Sequence, residues 1–351
     1  MRFTNPRLNQ PGVKRLFRTE PDRPMALLKL CPVYEPTPLH VMPAFAADLG
    51  IGALMVKDET RRMRLGSFKA LGGVFAVAQM IEDASGAAGL DSGQARTTAA
   101  GMTFITASAG NHGLSVAAGA RIFGARGIIV LCSAVPEGFA ERIRKTGSEV
   151  VRVDGSYEDS VQYAIDAAEQ NGWLLLADGS WEGYIERPAL IMEGYSVLAE
   201  ECRQALEASG SWPTHVFVQA GVGGLASALA AHIREHWPHQ PQIIVVEPEA
   251  APCLLKSVQA GKLTRAEGPE SNMGRLDCKD ASLIAFEALR QDADLFMTVT
   301  DQDAESAAGQ YASHGIQTTP SGAAPFAALK QLDPGPDARC LLIATEGPET
   351  A

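Results

Sequence analysis

From residue 103 onward, short runs of Val, Ile and Leu without polar alternation recur between helical patterns, and this restricts the chain to few architectures. The runs are Thr103 to Ala107, Gly127 to Cys132, Glu149 to Asp154, Trp173 to Asp178, His215 to Ala220, Gln242 to Glu247 and Cys340 to Thr345. A strand that is apolar on both sides must be covered on both faces, as a parallel strand between helices is. The stretches between them, such as Pro136 to Lys145 and Tyr157 to Asn171, carry helical spacing, with Pro136 at a first-turn position and Gly147 and Gly172 as stops. A doubly wound α/β architecture follows. Residues 85 to 100, rich in Gly, Ala and Ser, are expected to form a surface loop or hinge at a lobe boundary.

With 351 residues the chain can bury a large core, as two lobes or as one large α/β unit. A formal net charge of -11 argues against nucleic acid or an anionic membrane as partner, since both call for basic patches. No apolar run approaches the roughly 20 residues needed to cross a bilayer. The amino terminus is basic without an apolar signal core, so the expected location is the cytoplasm. The six cysteines lack C-x-x-C spacing, so no zinc or other metal site is indicated and free thiols are expected. Of these, Cys253 and Cys278 fall in loop-like segments that could approach each other.

Four segments carry chemistry. Lys69, in Gly66-Ser67-Phe68-Lys69-Ala70-Leu71-Gly72-Gly73, sets an amine at the start of a small-residue helix, where it can hold a cofactor aldehyde. Ala220-Gly221-Val222-Gly223-Gly224 joins a strand to a helix, so its amides and the helix dipole can cradle a phosphate. Glu247 stands near the spacing of a ribose-binding acid, which leaves a dinucleotide site open as an alternative. Ser108-Ala109-Gly110-Asn111-His112-Gly113 is a second strand-to-helix turn, suited to a carboxylate and a ring hydroxyl, although His112 alone reads better as a packed or capping residue. Thr319-Pro320-Ser321-Gly322 is by itself an ordinary helix start.

In the chain order Lys69, Ser108 to Gly113, Gly221 to Gly224 and Ser321-Gly322, the four segments resemble the fold type II pyridoxal phosphate enzymes, from Pro36-Thr37-Pro38-Leu39 to Thr345-Glu346-Gly347. Within that group the sequence looks most like the 2,3-diaminopropionate ammonia-lyases, through Lys57-Asp58-Glu59, Phe68-Lys69, Trp181-Glu182-Gly183-Tyr184 and Ile191-Met192-Glu193-Gly194-Tyr195. The resemblance implies a tryptophan synthase β-like fold, with two doubly wound α/β domains and pyridoxal 5'-phosphate between them. Residues 1–98 with 174–351 would form the large domain and 99–173 the small one. It implies a homodimer acting on a small amino acid.

It also implies roles. Lys69 would carry the cofactor as an imine and transfer the Cα proton, a task that burial favours by keeping its amine neutral. Asn111 would lie against the ring hydroxyl, and Gly221, Val222, Gly223 and Gly224 would hold the phosphate. Ser108, Ala109, Gly110 and His112 would line the substrate carboxylate site. Ser321 would meet the ring nitrogen as a neutral partner, which makes a weak electron sink suited to β-elimination. Asp178 would bind a substrate ammonium or serve as a second base, unless it only caps a turn, and Glu346 has the same two readings.

Two departures bear on the substrate. The diaminopropionate lyases carry an aspartate before Gly-Asn-His where this chain has Ala109, a spelling closer to serine and threonine dehydratases. Asn272-Met273-Gly274-Arg275-Leu276-Asp277-Cys278-Lys279 is also more polar than that group's usual Ala-Gly-Leu block, and Arg275, Asp277 or Lys279 could face the substrate. The expected function is elimination of ammonia from 2,3-diaminopropionate to give pyruvate and ammonia. A serine or threonine dehydratase is the near alternative, a dinucleotide-dependent oxidoreductase the distant one, and a non-catalytic metabolite-binding protein the last.

Overall fold

The computed structural model describes residues 1–6, 15–31, 33–86, 89–108 and 110–348. Its strands are β1 Arg2–Thr4, β2 Leu39–Val41, β3 Ala53–Asp58, β4 Thr103–Ala107, β5 Arg126–Cys132, β6 Glu149–Val153, β7 Leu174–Leu175, β8 His215–Gln219, β9 Gln242–Pro248, β10 Leu295–Val299 and β11 Arg339–Ala344. The helices of the first half are α1 Asp22–Leu28, α2 Pro43–Asp48, α3 Lys69–Ala84, α4 Gly93–Ala100, α5 Asn111–Phe123, α6 Glu137–Arg144 and α7 Tyr157–Asn171. Those of the second half are α8 Glu186–Ser209, α9 Gly224–His236, α10 Cys253–Ala260, α11 Leu283–Asp292, α12 Asp301–Ser313 and α13 Pro320–Leu332.

Two sheets result. The larger has the order β1-β10-β9-β8-β11-β3-β2, with its inner strands parallel and the short edge strands β1 and β2 antiparallel. The smaller is wholly parallel, in the order β6-β5-β4-β7. Helices cover both faces of each, as the apolar runs require. Phe217, Ile244 and Leu342 pack with α12 and α13 on one side of the large sheet, while Val216, Val245 and Leu341 meet α3, α8 and α9 on the other.

The central helix is α3, which is apolar nearly all round and buried from Ala70 to Gln79. Its small residues explain where it lies. A methyl added at Gly72 would come within 2.6 Å of the Ile191 carbonyl, and one at Gly194 within 2.7 Å of Gly72 Cα, so α3 and α8 cross almost backbone to backbone. On the other flank, Ser115 Oγ of α5 donates to the Lys69 carbonyl at 2.7 Å beside Gly73.

Two segments differ from the sequence reading. The run Trp173 to Asp178 makes only the two-residue strand β7, because Ala177 N bonds to the Tyr184 hydroxyl at 2.9 Å and the chain turns away. That strand pairs with β4, so the small sheet reaches past residue 173. Residues 85 to 100 are not simply a loop, since Ser92 caps Ala95 N at 3.0 Å and starts α4, which buries Ala95 and Ala99.

Candidate active site

Chemistry-bearing residues gather just past the carboxyl ends of parallel strands of both sheets, where open α/β folds bind ligands. Ser108 follows β4, Asp178 follows β7, Gly221 follows β8, and Glu346 follows β11. Lys69 opens α3 beside them. Its approach is clamped to the end of β11, with Phe68 N bonded to Thr345 O at 3.1 Å, Gly347 N to Gly66 O at 2.9 Å, and Ser67 bridging to Glu346.

The turn ahead of that clamp is strained. Met63 and Arg64 have φ of 49° and 59°, a left-handed backbone that costs a non-glycine residue about 1–3 kcal/mol. The neighbouring Arg62 braces it from inside the protein. Its Nε and Nη2 each meet Glu59 at 2.7 Å, Nη1 and Nη2 meet Glu201 at 2.8 and 2.7 Å, and Lys57 Nζ joins Glu201 at 2.5 Å. Two cations and two anions therefore neutralise one another while buried.

Lys69 Nζ forms an ion pair with Asp178, each side chain 21% exposed. Burial disfavours the ammonium, but the Asp178 carboxylate outweighs it and holds the amine above the ordinary lysine range. Burial acts on this amine in the expected direction, and the ion pair outweighs it. Burial likewise disfavours the Asp178 carboxylate, yet the Lys69 ammonium outweighs it and holds its pKa well below the usual range. Asp178 is fixed from both sides. Tyr184 stacks on Trp181 at 4.4 Å and binds Ala177 N and Leu175 O, while Ser180 Oγ meets Ser282 Oγ at 2.7 Å and Ile284 N at 2.9 Å. The Trp-Glu-Gly-Tyr block is thus the support of the acid.

His112 is buried, and its Nε2 bonds to Leu176 O at 2.7 Å. Burial lowers its pKa, so the ring is neutral and its contribution to the cleft is through the backbone at the start of α5. Ser108 Oγ accepts the amides of Gly110 and Gly113 at 3.1 and 2.9 Å, so this turn has fewer open donors than its sequence suggests. Ala109 lies outside the described residues. Asn111 donates its side-chain amide to Glu346, whose other oxygen accepts the Thr319 hydroxyl at 2.7 Å.

The Gly221 to Gly224 turn fits a phosphate. Gly223 has φ of 101°, and a methyl there would lie 2.9 Å from Ala285 Cβ and 3.0 Å from Leu254 Cδ1, so only glycine fits this turn. It sits at the N-cap of α9 with no side chain bonded to the first amides, which suits an anion. The Tyr195 ring links the turn to the lysine, lying 3.6 Å from where a Gly224 methyl would be and 5.8 Å below Lys69 Nζ. Glu247 serves no ribose, because it is fully buried and accepts Leu254 N and Leu255 N at 2.7 and 2.8 Å.

Ser321 Oγ accepts Arg275 N at 3.2 Å, which leaves its own hydrogen to donate. Gln219 fixes this corner through its Nε2, which reaches Ser321 O, Ile343 O and Thr345 Oγ1 at 3.2, 3.0 and 2.9 Å. Of the polar trio in the 272–279 loop, Asp277 and Lys279 pair with each other at 2.6 Å, and Lys279 also meets Ala250 O and Pro269 O. Arg275 is the one that faces the turn at Gly110. Cys253 and Cys278 are free thiols.

Two residues at this cleft carry no motif of their own. Tyr157 opens α7 and is 44% exposed, and burial of its phenol, then the Asp178 charge, pushes it above its ordinary range. Phe139 of α6 lies 5.9 Å from the Arg275 guanidinium. Their place at helix starts after β5 and β6 was the available signal.

The sequence matches the family described as "Pyridoxal-phosphate dependent enzyme" over residues 30–346. Diaminopropionate ammonia-lyase of Escherichia coli (strain K12) is 34% identical over 276 residues, covering 76% of this chain and 69% of that protein. A probable D-serine dehydratase of Acidovorax ebreus is 28% identical over 66% of this chain and 53% of its own length. Among solved structures, the Escherichia coli diaminopropionate ammonia-lyase in complex with an aminoacrylate-PLP azomethine reaction intermediate superposes with a TM-score of 0.86 and 28% identity, covering 99% of this chain and 93% of that one. A family match across nearly the whole chain and a shared fold give one conclusion: the chain belongs to the pyridoxal-phosphate-dependent enzymes of fold type II.

Proposed function

We propose that this protein is a pyridoxal phosphate-dependent carbon-nitrogen lyase that eliminates ammonia from 2,3-diaminopropionate and yields pyruvate and ammonia. The observation that carries the reading is the Lys69–Asp178 ion pair at the carboxyl ends of both sheets, in a chain 34% identical to a diaminopropionate ammonia-lyase. Bound pyridoxal phosphate supplies an electron sink for the charge left at the substrate Cα.

The chain's own residues do the rest. Amides of Gly221, Val222, Gly223 and Gly224 would hold the phosphate, and Asn111, oriented by Glu346, would lie against the ring hydroxyl. Ser321, whose oxygen accepts Arg275 N, would offer its hydrogen to the ring nitrogen. Ser108, Gly110 and the backbone of His112 would receive the substrate carboxylate. The β-ammonium of the substrate would pair with Asp178, the acid that otherwise holds Lys69. Lys69 then loses its counter-charge, burial favours the neutral amine, and Nζ accepts the Cα proton. The β-nitrogen leaves as ammonia with its bonding pair, and the aminoacrylate that is released takes up water and loses its α-nitrogen as a second ammonia, which leaves pyruvate.

The test compares pyruvate release from L- and D-2,3-diaminopropionate, L-serine and L-threonine. L-2,3-diaminopropionate should be turned over fastest, and serine turning over far better than either isomer overturns the choice in favour of a dehydratase. The same reading includes a cytoplasmic homodimer, which light scattering tests against the 37.2 kDa chain mass.

A further inference from the structure

Arg275 reaches from the loop over the glycine cradle to the opposite lobe. Its carbonyl and the neighbouring Leu276 press on Gly221, where an added methyl would lie 3.2 Å from Arg275 O and 3.3 Å from Leu276 Cα. Its backbone N–H holds Ser321. The side chain then crosses to the turn ahead of α5, where a methyl added at Gly110 would come within 2.5 Å of Nη1 and 2.8 Å of Cζ. Phe139 flanks the guanidinium at 5.9 Å, and Nε stands 3.7 Å from Glu346 Oε2, which sets its direction. Glycine at position 110 is what admits the group so near the backbone.

That turn is where the substrate carboxylate is expected, and two of its amides are already taken by Ser108 Oγ. A helix start with fewer open amides offers partial charge only, whereas a guanidinium offers a full charge and a planar pair of donors matched to a carboxylate. We propose that Arg275 is a substrate-binding residue that grips the α-carboxylate of the amino acid together with the Ser108 to Gly110 turn. The proposal rests on the lyase reading above. It makes Arg275 a determinant of specificity for α-amino acids over simple amines.

The test uses the cofactor-loaded enzyme and follows the absorbance of the cofactor during titration. L-Alanine has the carboxylate but no leaving group, and ethylamine lacks the carboxylate. In Arg275→Gln, L-alanine binding should weaken roughly ten- to a hundredfold, as for loss of a charged hydrogen-bonded pair, with ethylamine binding unchanged. The KM for 2,3-diaminopropionate should rise by a similar factor, with a far smaller change in kcat. Arg275→Lys keeps the charge without the planar fork, so it should fall between the two, and it carries the same test if Arg275→Gln does not fold. Unchanged L-alanine binding in the folded variant overturns the proposal. A wild-type protein with no cofactor absorbance sinks the lyase reading instead, which keeps the two failures apart.

Discussion

Asn111 donates its side-chain amide to Glu346 across 235 positions of sequence, joining the first residue of α5 to the segment just past β11. One carboxylate thus sets both the amide expected to face the cofactor ring and the Thr319 hydroxyl that caps α13. Glu346→Gln keeps the size but turns an NH2 group toward one of these donors. Dialysis against cofactor-free buffer should show pyridoxal phosphate affinity reduced roughly tenfold or more, with the far-UV spectrum unchanged.

Lys69→Ala should lose the visible absorbance of the bound cofactor and all measurable pyruvate release. In Asp178→Asn the sign of the change is specific. Asp178 raises the Lys69 pKa against burial, so removing its charge lets burial prevail and lowers it. Only the neutral amine captures an aldehyde, so cofactor-stripped Asp178→Asn should recapture pyridoxal phosphate at full rate at a lower pH than wild type. An identical pH profile would contradict the ion-pair account.

Arg62 joins Glu59 and Glu201 where none of the three meets solvent appreciably. Its replacement by Ala leaves the buried Glu59 carboxylate without a cation, while Lys57 still holds Glu201, and should cost about 3–5 kcal/mol of stability, read as a lower denaturant midpoint. Cofactor binding should weaken as well, because the strained Met63–Arg64 turn leading to Lys69 loses its brace.

Glu247 gives a pH dependence of stability. Burial pushes its pKa up to about 8, against the two backbone amides that favour its charged form. A carboxyl with a raised folded pKa holds its proton in the folded state at pH values where the unfolded chain has released it. Its contribution is therefore full below the ordinary glutamate range and is lost as pH rises toward about 8, by at most about 1.4 kcal/mol per pH unit. The melting temperature should fall over that window, and Glu247→Gln should flatten the fall.

Ala109→Asp restores the acid that diaminopropionate lyases carry before Gly-Asn-His. Pyruvate assays should show turnover of the D-isomer appearing in the variant, with the L-isomer still accepted.

The inner strands β4, β5, β8, β9 and β11 were legible because they are apolar on both sides, and β6, at the edge of the small sheet, was legible from its valines. The edge strands β1 and β2 are three residues each and borrow their pairing from β10 and β3, so nothing local marks them. Of the candidate site, the sequence placed Lys69, Asn111, the Gly221 to Gly224 turn and Ser321 at helix starts and took Asp178 from the resemblance, and the structure sets these segments at the carboxyl ends of the two sheets. The charge state of Lys69 was not legible, because Asp178 lies 109 positions away and pairing rather than burial decides it. Nor was the use of the Gly110 and Gly113 amides by Ser108, which depends on the turn's shape. Tyr157 and Phe139 reach the cleft from the ends of helices whose sequences speak only of packing.

The glycine-lined fit of α3 against α8, with α5 bonded to its first carbonyl, has a consequence for engineering. Helix α3 comes from the chain's opening third, yet its other face is matched to Ser115 of the lobe built by the small sheet. That lobe is accordingly not a cassette. Grafting in the corresponding segment of another family member would have to carry over a small side chain opposite Gly73 and a hydroxyl for the Lys69 carbonyl, or the amine would be displaced even where every residue around it was kept.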